Sequence, residues 1–354
     1  MSTRSGMGGV CGATAVRDVR TGTGRGVCET RRMRQIPVVD SGSVGAAGEI
    51  DAACRQHGFF VVTGHGIDPA LFDHLEDASH RFFALPDDVK AAIAMPRAGR
   101  SWRGWFPPGG ELTSGVPDGK EGIYFGAELA PDHPRVLAGV PLHGSNLFPD
   151  EPADLGPLVL EVLDELSRLG HRLLELVAVG LGLERDWFRA SLTADPTILF
   201  RIFHYPPAGA VEGATWGVQE HADYGLLTIL RQDDVGGLQV RSGAGWLDVP
   251  PVPDSFVCNI GDMLERMTGG VYRSTPHRVQ RPDRSRLSFP FFFDPSWDAH
   301  VRPVPGMGEA TAPAGNRWDG ASVLDFDGTY GDYLTAKVAR VFPELWAAVD
   351  QDTT

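Results

Sequence analysis

Residues 219–231, with the sequence QEHADYGLLTILR, decide how the rest of the chain is interpreted. If this stretch begins as a β-strand, residues two apart lie on one face of the strand. The imidazole of His221 and the carboxylate of Asp223 then point into the same space. A second imidazole comes at His277, within the sequence STPHRV. If all three side chains converge on one point, they form a metal-binding site.

Two histidines and one carboxylate make up the facial triad that holds non-haem Fe(II) and leaves coordination positions open. A lone His-x-Asp pattern is weak evidence, because a chain with 11 histidines is expected to contain one by chance. Here the motif follows extended chain, a strand-like pattern comes after it, and His277 arrives a few strands later. For His277 alone a structural histidine is the better interpretation. The conjunction favours a metal site formed by His221, Asp223 and His277.

A possible carboxylate-binding motif, Arg286-Leu287-Ser288, follows His277. On a strand Arg286 and Ser288 share a face. A guanidinium fork beside a hydroxyl suits a carboxylate, which it binds through paired, charge-assisted hydrogen bonds. We predict an inward position for Arg286 because the apolar run 289–293 is adjacent to it. For Arg281 and Arg284, in the same basic run, we predict surface positions.

Short predicted strands, separated by Gly, Pro and Asp, surround both motifs. They cover residues 198–205, 217–220, 225–231, 238–240, 245–249, 255–260, 271–279 and 287–293, with earlier strands at 36–39 and 59–62. Apolar residues at helical spacing predict helices at 44–57, 69–85, 86–94, 155–183 and 330–342. The pattern indicates a mainly β fold with flanking helices, either a sandwich or a jelly-roll barrel.

The chain is predicted to form a single domain, because it shows no internal repeat and no interdomain linker. Residues 1–34, rich in Gly, Thr, Ser and Arg, predict a disordered tail, unless translation begins at Met33. The domain then spans residues 35–350. It has a helical N-terminal part with leading strands (35–197), a jelly-roll core (198–304) and a C-terminal loop and helix (305–350).

Composition argues against some classes of partner. The 354 residues carry a net charge of -14, which argues against nucleic acid or an anionic membrane as the main partner. No run approaches the length of a membrane span. The cysteines Cys11, Cys28, Cys54 and Cys258 are scattered without disulfide or metal spacing, which favours a reducing, cytoplasmic compartment. Oligomeric state is not predicted by any of these features.

Residues 97–120 form a Gly/Pro-rich segment, and a loop of this length in a compact domain is usually a lid or a binding loop. We expect part of it to face a small-molecule substrate. The candidates are aromatic and charged residues of this region and of the strand after Arg286, namely Trp102, Arg103, Trp105, Phe106, Glu111, Lys120, Tyr124, Phe291 and Phe293. Phe291 and Phe293 share one strand face, and core packing explains them at least as well.

The motifs HADYGLLTIL, GGLQV, NIGDML, STPHRV, RLS and PFFFDP follow one another in the second half of the chain. Together they resemble the isopenicillin N synthase-like branch of the Fe(II)/2-oxoglutarate-dependent oxygenases. The strand RIFHYPP at residues 201–207 and the segment HGFFVVTGHGI also match, so the resemblance extends from about residue 36 to residue 342. The segment ELTSGVPDGKEGIYFG, residues 111–126, is similar to the corresponding loop of bacterial relatives, including ethylene-forming enzymes.

The resemblance implies a double-stranded β-helix, a jelly-roll barrel in which His221, Asp223 and His277 hold Fe(II). It also implies that Arg286 and Ser288, assisted by Tyr205, bind the distal carboxylate of 2-oxoglutarate as cosubstrate. The implied activity is hydroxylation or desaturation of a small molecule with O2, releasing succinate and CO2. Many relatives carry Asn two positions before that tyrosine. This chain has Phe203 there, which removes the polar group expected at that position.

Other activities stay open from the sequence. A family oxidase that does not consume 2-oxoglutarate, of the oxidative cyclase type, would keep the same motifs, because in isopenicillin N synthase an equivalent Arg-x-Ser holds the substrate carboxylate. An ethylene-forming activity, found among related enzymes, is a further alternative. A non-enzymatic barrel that binds a ligand is disfavoured, because the ligand chemistry is intact at all three metal positions.

Overall fold

The structure is a computed structural model that describes residues 35–113, 115–211, 214–243, 245–307 and 326–341. Its strands are β1 Val38–Asp40, β2 Phe59–Thr63, β3 Gly104–Phe106, β4 Leu112–Thr113, β5 Val116–Pro117, β6 Glu121–Gly126, β7 Pro196–Tyr205, β8 Val218–His221, β9 Leu227–Gln232, β10 Leu238–Ser242, β11 Gly245–Asp248, β12 Phe256–Ile260, β13 His277–Val279 and β14 Arg286–Ser296. Its α-helices are α1 Ala46–Gln56, α2 Pro69–Phe83, α3 Asp87–Lys90, α4 Pro134–Leu137, α5 Leu155–Gly180, α6 Trp187–Ser191, α7 Asp262–Met267 and α8 Tyr330–Val341.

Two sheets organise the described part of the chain. The larger sheet has eight strands there, in the order β1-β2-β12-β9-β14-β7-β6-β3, and the smaller has four, in the order β11-β10-β13-β8. The β1–β2 pair is parallel, whereas the strands that carry the predicted motifs pair antiparallel with their neighbours. The short strands β4 and β5 form a separate hairpin. The fold is thus mainly β with flanking helices, as the sequence predicts.

Strand β14 lies inside the larger sheet, between β7 and β9. Arg286 pairs with Tyr205 of β7, and Phe292 pairs with Thr228 of β9. Because side chains alternate along a strand, its residues divide between two faces. One face carries Leu287, Phe289, Phe291 and Phe293, and the other carries Arg286, Ser288, Pro290, Phe292 and Asp294.

The first of these faces packs against helices. The ring of Phe289 lies 6.3 Å from that of Phe72 on α2, and the ring of Phe293 lies 4.8 Å from that of His171 on α5. Gly170 makes the second contact possible, because a Cβ at that position would lie 2.6 Å from the Phe293 ring. The buried leucines along α5 include Leu163, Leu166, Leu169 and Leu173. Each such side chain contributes roughly 1.5–3 kcal/mol of hydrophobic stabilisation.

Two predicted segments differ from the structure. The strand predicted at 271–279 is confined to His277–Val279, because residues 271–276 are irregular chain that follows the unpredicted helix α7. Residues 97–120 are not one long loop, since they include the end of a 3-10 helix (Met95–Ser101), strand β3 and the β4–β5 hairpin. Strand β6, which follows, is also absent from the sequence prediction.

The predicted tail, residues 1–34, lies outside the described residues, as do most of the predicted C-terminal loop and the last residue of the predicted final helix. The division of residues 35–350 into three parts stays a prediction. Among the described helices, none is both long enough and apolar enough to cross a membrane.

Candidate active site

Most of the predicted site residues line one cavity, and both sheets contribute to its wall. From the smaller sheet come His221, at the end of β8, and His277, at the start of β13. From the larger sheet comes the second face of β14, with Arg286 at one end and Asp294 at the other.

The structure brings His221, Asp223 and His277 together. The two histidines face each other across the β8–β13 pair, and their ring centroids lie 4.2 Å apart. The Nε2 atom of each ring is 3.7 Å from Oδ1 of Asp223, which lies two residues after the end of β8. One potential ligand atom from each residue lies within 4.8 Å of the others, which is the spacing of atoms that share one metal ion.

Hydrogen bonds orient these ligand atoms toward one point. Nδ1 of His221 donates to the carbonyl of Gln219 (2.8 Å), and Nδ1 of His277 donates to that of Thr275 (3.2 Å). This leaves both Nε2 lone pairs free for a metal. On Asp223, Oδ2 accepts hydrogen bonds from Thr228 Oγ1 (2.5 Å) and Asn259 Nδ2 (2.7 Å), so Oδ1 is the oxygen turned toward the histidines.

The protonation states also fit a metal site. Burial, aided by the neighbouring His221, lowers the pKa of His277 to about 4, although Asp223 opposes the shift. Burial alone would raise the pKa of Asp223, but the two histidines and the hydrogen bonds from Asn259 and Thr228 outweigh it and hold that pKa below its usual value. Near neutral pH the site therefore offers a neutral His277 imidazole and an ionised carboxylate, the forms that bind a divalent ion.

Arg286 is the strongest indication of an anionic ligand. It is 1% exposed, and its Nε donates to the carbonyl of Gly236 (2.5 Å). Its Nη1 and Nη2 atoms are buried and have no hydrogen-bond partner among the described residues. Buried guanidinium donors are normally satisfied, so a carboxylate of a ligand would complete this site. Ser288 and Tyr205 lie beside it, with their hydroxyl oxygens 3.4 Å apart.

The substrate candidates divide into two groups. Trp102, Glu111, Lys120 and Tyr124 line the cavity. Arg103, Trp105, Phe106, Phe291 and Phe293 do not. The indole of Trp105 donates instead to Glu121 (2.9 Å), and the ring of Phe106 packs edge-on against Tyr124, 5.3 Å away.

Strand alternation explains why Phe291 and Phe293 do not line the cavity. They lie on the helix-facing side of β14, whereas Phe292 and Pro290 share the cavity side with Arg286 and line the cavity. Counting in twos from Arg286 would have identified Phe292 from the sequence. Phe203 also lines the cavity and supplies an apolar ring there. The surface prediction holds for Arg284, which is exposed, but Arg281 is only partly exposed, because its Nη1 donates to the carbonyls of Val211 and Ala214.

The cavity residues that were not predicted as site residues include Arg201, Thr228, Asn259 and Asp294. Thr228 and Asn259 reach Asp223 from neighbouring strands of the larger sheet, a relation that no local spacing in the sequence reveals. Burial raises the pKa of Asp294 to about 7. Its Oδ1 accepts from the Leu226 amide (2.9 Å), and its Oδ2 accepts from the hydroxyl of Tyr330 on α8.

A facial triad and an unsatisfied buried arginine in one cavity between two sheets indicate the class of a non-haem metal oxygenase. Comparison with known proteins gives the family. The sequence profile of the 2OG-Fe(II) oxygenase superfamily matches residues 196–295, and that of the non-haem dioxygenase in morphine synthesis N-terminal region matches residues 36–151.

Relatives match most of the chain. A probable iron/ascorbate oxidoreductase of Dictyostelium discoideum is 45% identical over 90% of this chain and 97% of its own length. A homoarginine-6-hydroxylase of Glycine max is 36% identical over 86% of this chain and 92% of its own length. The crystal structure of a full-length Neurospora crassa protein in complex with alpha-KG has a TM-score of 0.71 at 27% identity, and the match covers 86% of this chain and 96% of that one.

The chain belongs to the 2OG-Fe(II) oxygenase superfamily. It is an oxidoreductase of the dioxygenase type that uses Fe(II) and 2-oxoglutarate with O2 and a small-molecule substrate. The predicted family, jelly-roll fold and cofactors are confirmed.

Proposed function

We propose that this enzyme hydroxylates or desaturates a small molecule and couples that oxidation to the conversion of 2-oxoglutarate and O2 into succinate and CO2. His221, Asp223 and His277 hold the iron, and Arg286, Ser288 and Tyr205 hold the distal carboxylate of 2-oxoglutarate. The observation that carries the proposal is the pair of unpartnered Nη atoms of Arg286, which lines the same cavity as the three metal-ligand candidates. The bound iron would supply the activation of O2.

The protein's own contribution is positioning and exclusion of water. Asp223 and the two histidines are held in place before any ligand binds, by the hydrogen bonds from Thr228 and Asn259 and by those to the carbonyls of Gln219 and Thr275. Tyr330 and Leu334 of α8 form part of the cavity wall, so this helix shields the site from solvent. Pre-organisation of this kind limits unproductive side reactions.

Of the two reactions, hydroxylation has the more direct support. The similarity to a homoarginine-6-hydroxylase extends over 86% of the chain.

The test is anaerobic reconstitution with Fe(II), followed by 2-oxoglutarate and then O2, with succinate as the measured product. Slow succinate formation without added substrate supports the proposal. Iron binding without any 2-oxoglutarate consumption would favour a family oxidase that does not use this cosubstrate. Absence of iron binding would favour the non-enzymatic barrel.

Two variants assign the residues. His221→Ala is expected to lose both iron binding and succinate formation, while His80→Ala, an exposed histidine on α2, serves as the matched control. Arg286→Gln is expected to keep iron but raise the KM for 2-oxoglutarate on the order of 100-fold, the value of a lost charge-assisted bond. Arg284→Gln is its control, since that exposed side chain pairs with Asp234 (2.9 Å). Full activity of His221→Ala would refute the ligand assignment.

We also infer a reducing, cytoplasmic setting. Cys54 and Cys258 are both buried and free of disulfide bonds, and burial raises the pKa of both thiols, so neither is poised for oxidation. Measurement of the free thiol content of the purified native protein would test this inference.

A further inference from the structure

The cavity contains a second arginine, Arg201 on β7, that the proposed function does not use. It is 8% exposed and lines the cavity wall. Its Cζ lies 3.5 Å from the ring centroid of Tyr124 and 5.7 Å from that of Phe292. Its Nη1 reaches two backbone carbonyls, of Phe125 and Phe200, at 3.5 and 3.3 Å, the long end of the hydrogen-bond range. Within the described residues it forms no ion pair.

A third arginine, Arg103, lies close to Arg201 without a contacting counter-ion. It is 1% exposed, and its Nη2 donates to the carbonyl of Leu142 (2.8 Å). Its Nε and Nη1 have no hydrogen-bond partner among the described residues. Its guanidinium occupies the space where a side chain of Gly126 would stand, on the same face of β6 as Tyr124. Tyr124 pairs with Arg201 across β6 and β7, so Arg103 lies on the face that also carries Arg201. Burial and the charge of Arg201 lower the pKa of Arg103 to about 9.

The acidic groups that act on these arginines already have other partners. Glu128, which acts on Arg103, accepts from the amide and the side chain of Asn146. Glu111 contacts Lys120 (2.7 Å) and accepts from the Tyr124 hydroxyl, and Asp294 accepts from Leu226 and Tyr330. Burial lowers the pKa of Arg201, although Tyr124, Glu111 and Asp294 oppose the shift. Neither carboxyl group forms an ion pair with Arg201. Buried like charges without a contacting counter-ion are strongly unfavourable, and a negatively charged ligand would relieve the cost.

This cationic region is separate from the predicted 2-oxoglutarate site. Arg286 pairs with Tyr205 on β7, and Arg201 is four residues earlier on the same strand. Four residues of extended chain span about 13 Å. The two guanidinium groups also lie over different rings, Arg286 over Tyr205 and Arg201 over Tyr124, so the cavity offers two distinct anion positions.

We propose that the substrate carries a carboxylate, which binds to Arg201 with Arg103 as the supporting positive charge behind it. This inference rests on the proposed function, since it assigns the second anion position to the substrate rather than to the cosubstrate. The body of the substrate lies against the apolar wall around Arg201, formed by Trp102, Leu142, Leu199 and Phe292. The substrate class is therefore an organic acid with a largely apolar body.

The first experiment compares acids with their neutral amides. The probes are 4-phenylbutyrate, octanoate and L-phenylalanine, each with its primary amide, added to the Mn(II)-loaded enzyme with saturating 2-oxoglutarate. Binding is read from tryptophan fluorescence, because Trp102 lines the cavity. At least one acid is expected to bind on the order of 100-fold more tightly than its amide, the value of a charge-assisted bidentate contact. If no acid binds more tightly than its amide, the proposal is overturned.

The second experiment assigns the preference to Arg201. Arg201→Gln is expected to remove the preference for the acid, and Arg201→Lys, which keeps the charge but not the fork, to retain part of it. Arg231→Gln is the matched control, because this strand arginine does not line the cavity and donates to the Ser255 carbonyl (3.4 Å). The lysine variant also provides a folded comparison if the glutamine variant does not fold. An acid preference that survives in a folded Arg201→Gln protein would overturn the assignment.

The two proposals fail in different ways. If the Fe(II) enzyme forms no succinate, the proposed function fails, whatever the acids do. If succinate forms but Arg201→Gln raises the KM for 2-oxoglutarate as far as Arg286→Gln does, Arg201 belongs to the cosubstrate site. The inference about the substrate is then wrong, and the proposed function stands.

Discussion

Thr228→Val tests whether the hydrogen bonds behind Asp223 set the affinity for iron. Thr228 Oγ1 lies 2.5 Å from Asp223 Oδ2, and the residue is 4% exposed in the middle of the larger sheet. Valine keeps the shape and the strand preference of threonine but cannot donate. Without this donor, the carboxylate is free to rotate Oδ1 away from the histidines, and the pKa of Asp223 rises because a bond that stabilises its ionised form is lost.

The expected magnitude follows from the type of bond removed. A hydrogen bond to a charged group contributes about 1.5–3 kcal/mol, but Asn259 still donates to the same oxygen at 2.7 Å. Part of the orientation therefore survives, and we expect iron affinity to fall about 10- to 100-fold, as for other residues that orient metal ligands. Anaerobic titration calorimetry with Fe(II) measures this directly. The loss should grow as the pH is lowered, because protons then compete for a less acidic carboxylate.

Thr197→Val is the matched control. Thr197 lies on β7, is 9% exposed, and its hydroxyl has no hydrogen-bond partner among the described residues. The same substitution there should leave iron affinity unchanged. Unchanged affinity in Thr228→Val, or an equal loss in both variants, would refute the reasoning that the contact to Asp223 matters.

Three further predictions concern stability and the cavity wall. The pKa of Asp294 is raised to about 7, so the protonated carboxyl contributes fully to the free energy of unfolding below about pH 4, and this contribution is lost as the pH rises through 7. Between these pH values, the free energy of unfolding of Asp294→Asn should rise relative to that of the metal-free wild type by up to roughly 4 kcal/mol, as measured by denaturation curves. Gly225→Ala places a Cβ 1.5 Å from Asp294 Oδ1 and should lower the free energy of unfolding by about 3 kcal/mol in the same assay. Its control is Gly243→Ala, which should change the free energy of unfolding little, because no atom lies within 4 Å of the added Cβ. Phe291→Ala, on the helix-facing side of β14, should lose about 3–5 kcal/mol of stability, while Phe292→Ala should mainly alter substrate-stimulated succinate formation; the reverse pattern would contradict the strand assignment.

The metal-ligand candidates could be predicted from the sequence because their relations are short. His221 and Asp223 are two residues apart, and although β8 ends at His221, this short separation keeps both side chains at one site. Arg286 and Ser288 follow the same rule on β14. His277 is distant in sequence, and only its motif connected it with the other two.

The rest depends on contacts between distant segments. Thr228 and Asn259 meet Asp223 because β9 and β12 are neighbours, and their own sequences give no sign of a shared carboxylate. Residues 97–120 look like a loop by composition, but β3 gains regular structure from pairing with β6. Arg201 lies in a predicted strand, but its separation from any carboxylate depends on the three-dimensional arrangement of neighbouring strands.

Strand β14 concentrates the binding groups of the cavity on alternate positions of one segment, with core phenylalanines between them. Inserting or deleting a single residue near its start would exchange the two sets over the whole length of the strand. Phenylalanines would then enter the cavity while Arg286 or Asp294 met the helices. During evolution this strand can therefore accept substitutions but not single-residue insertions or deletions. Changes of length that alter the substrate range are then expected in the segments around the strand.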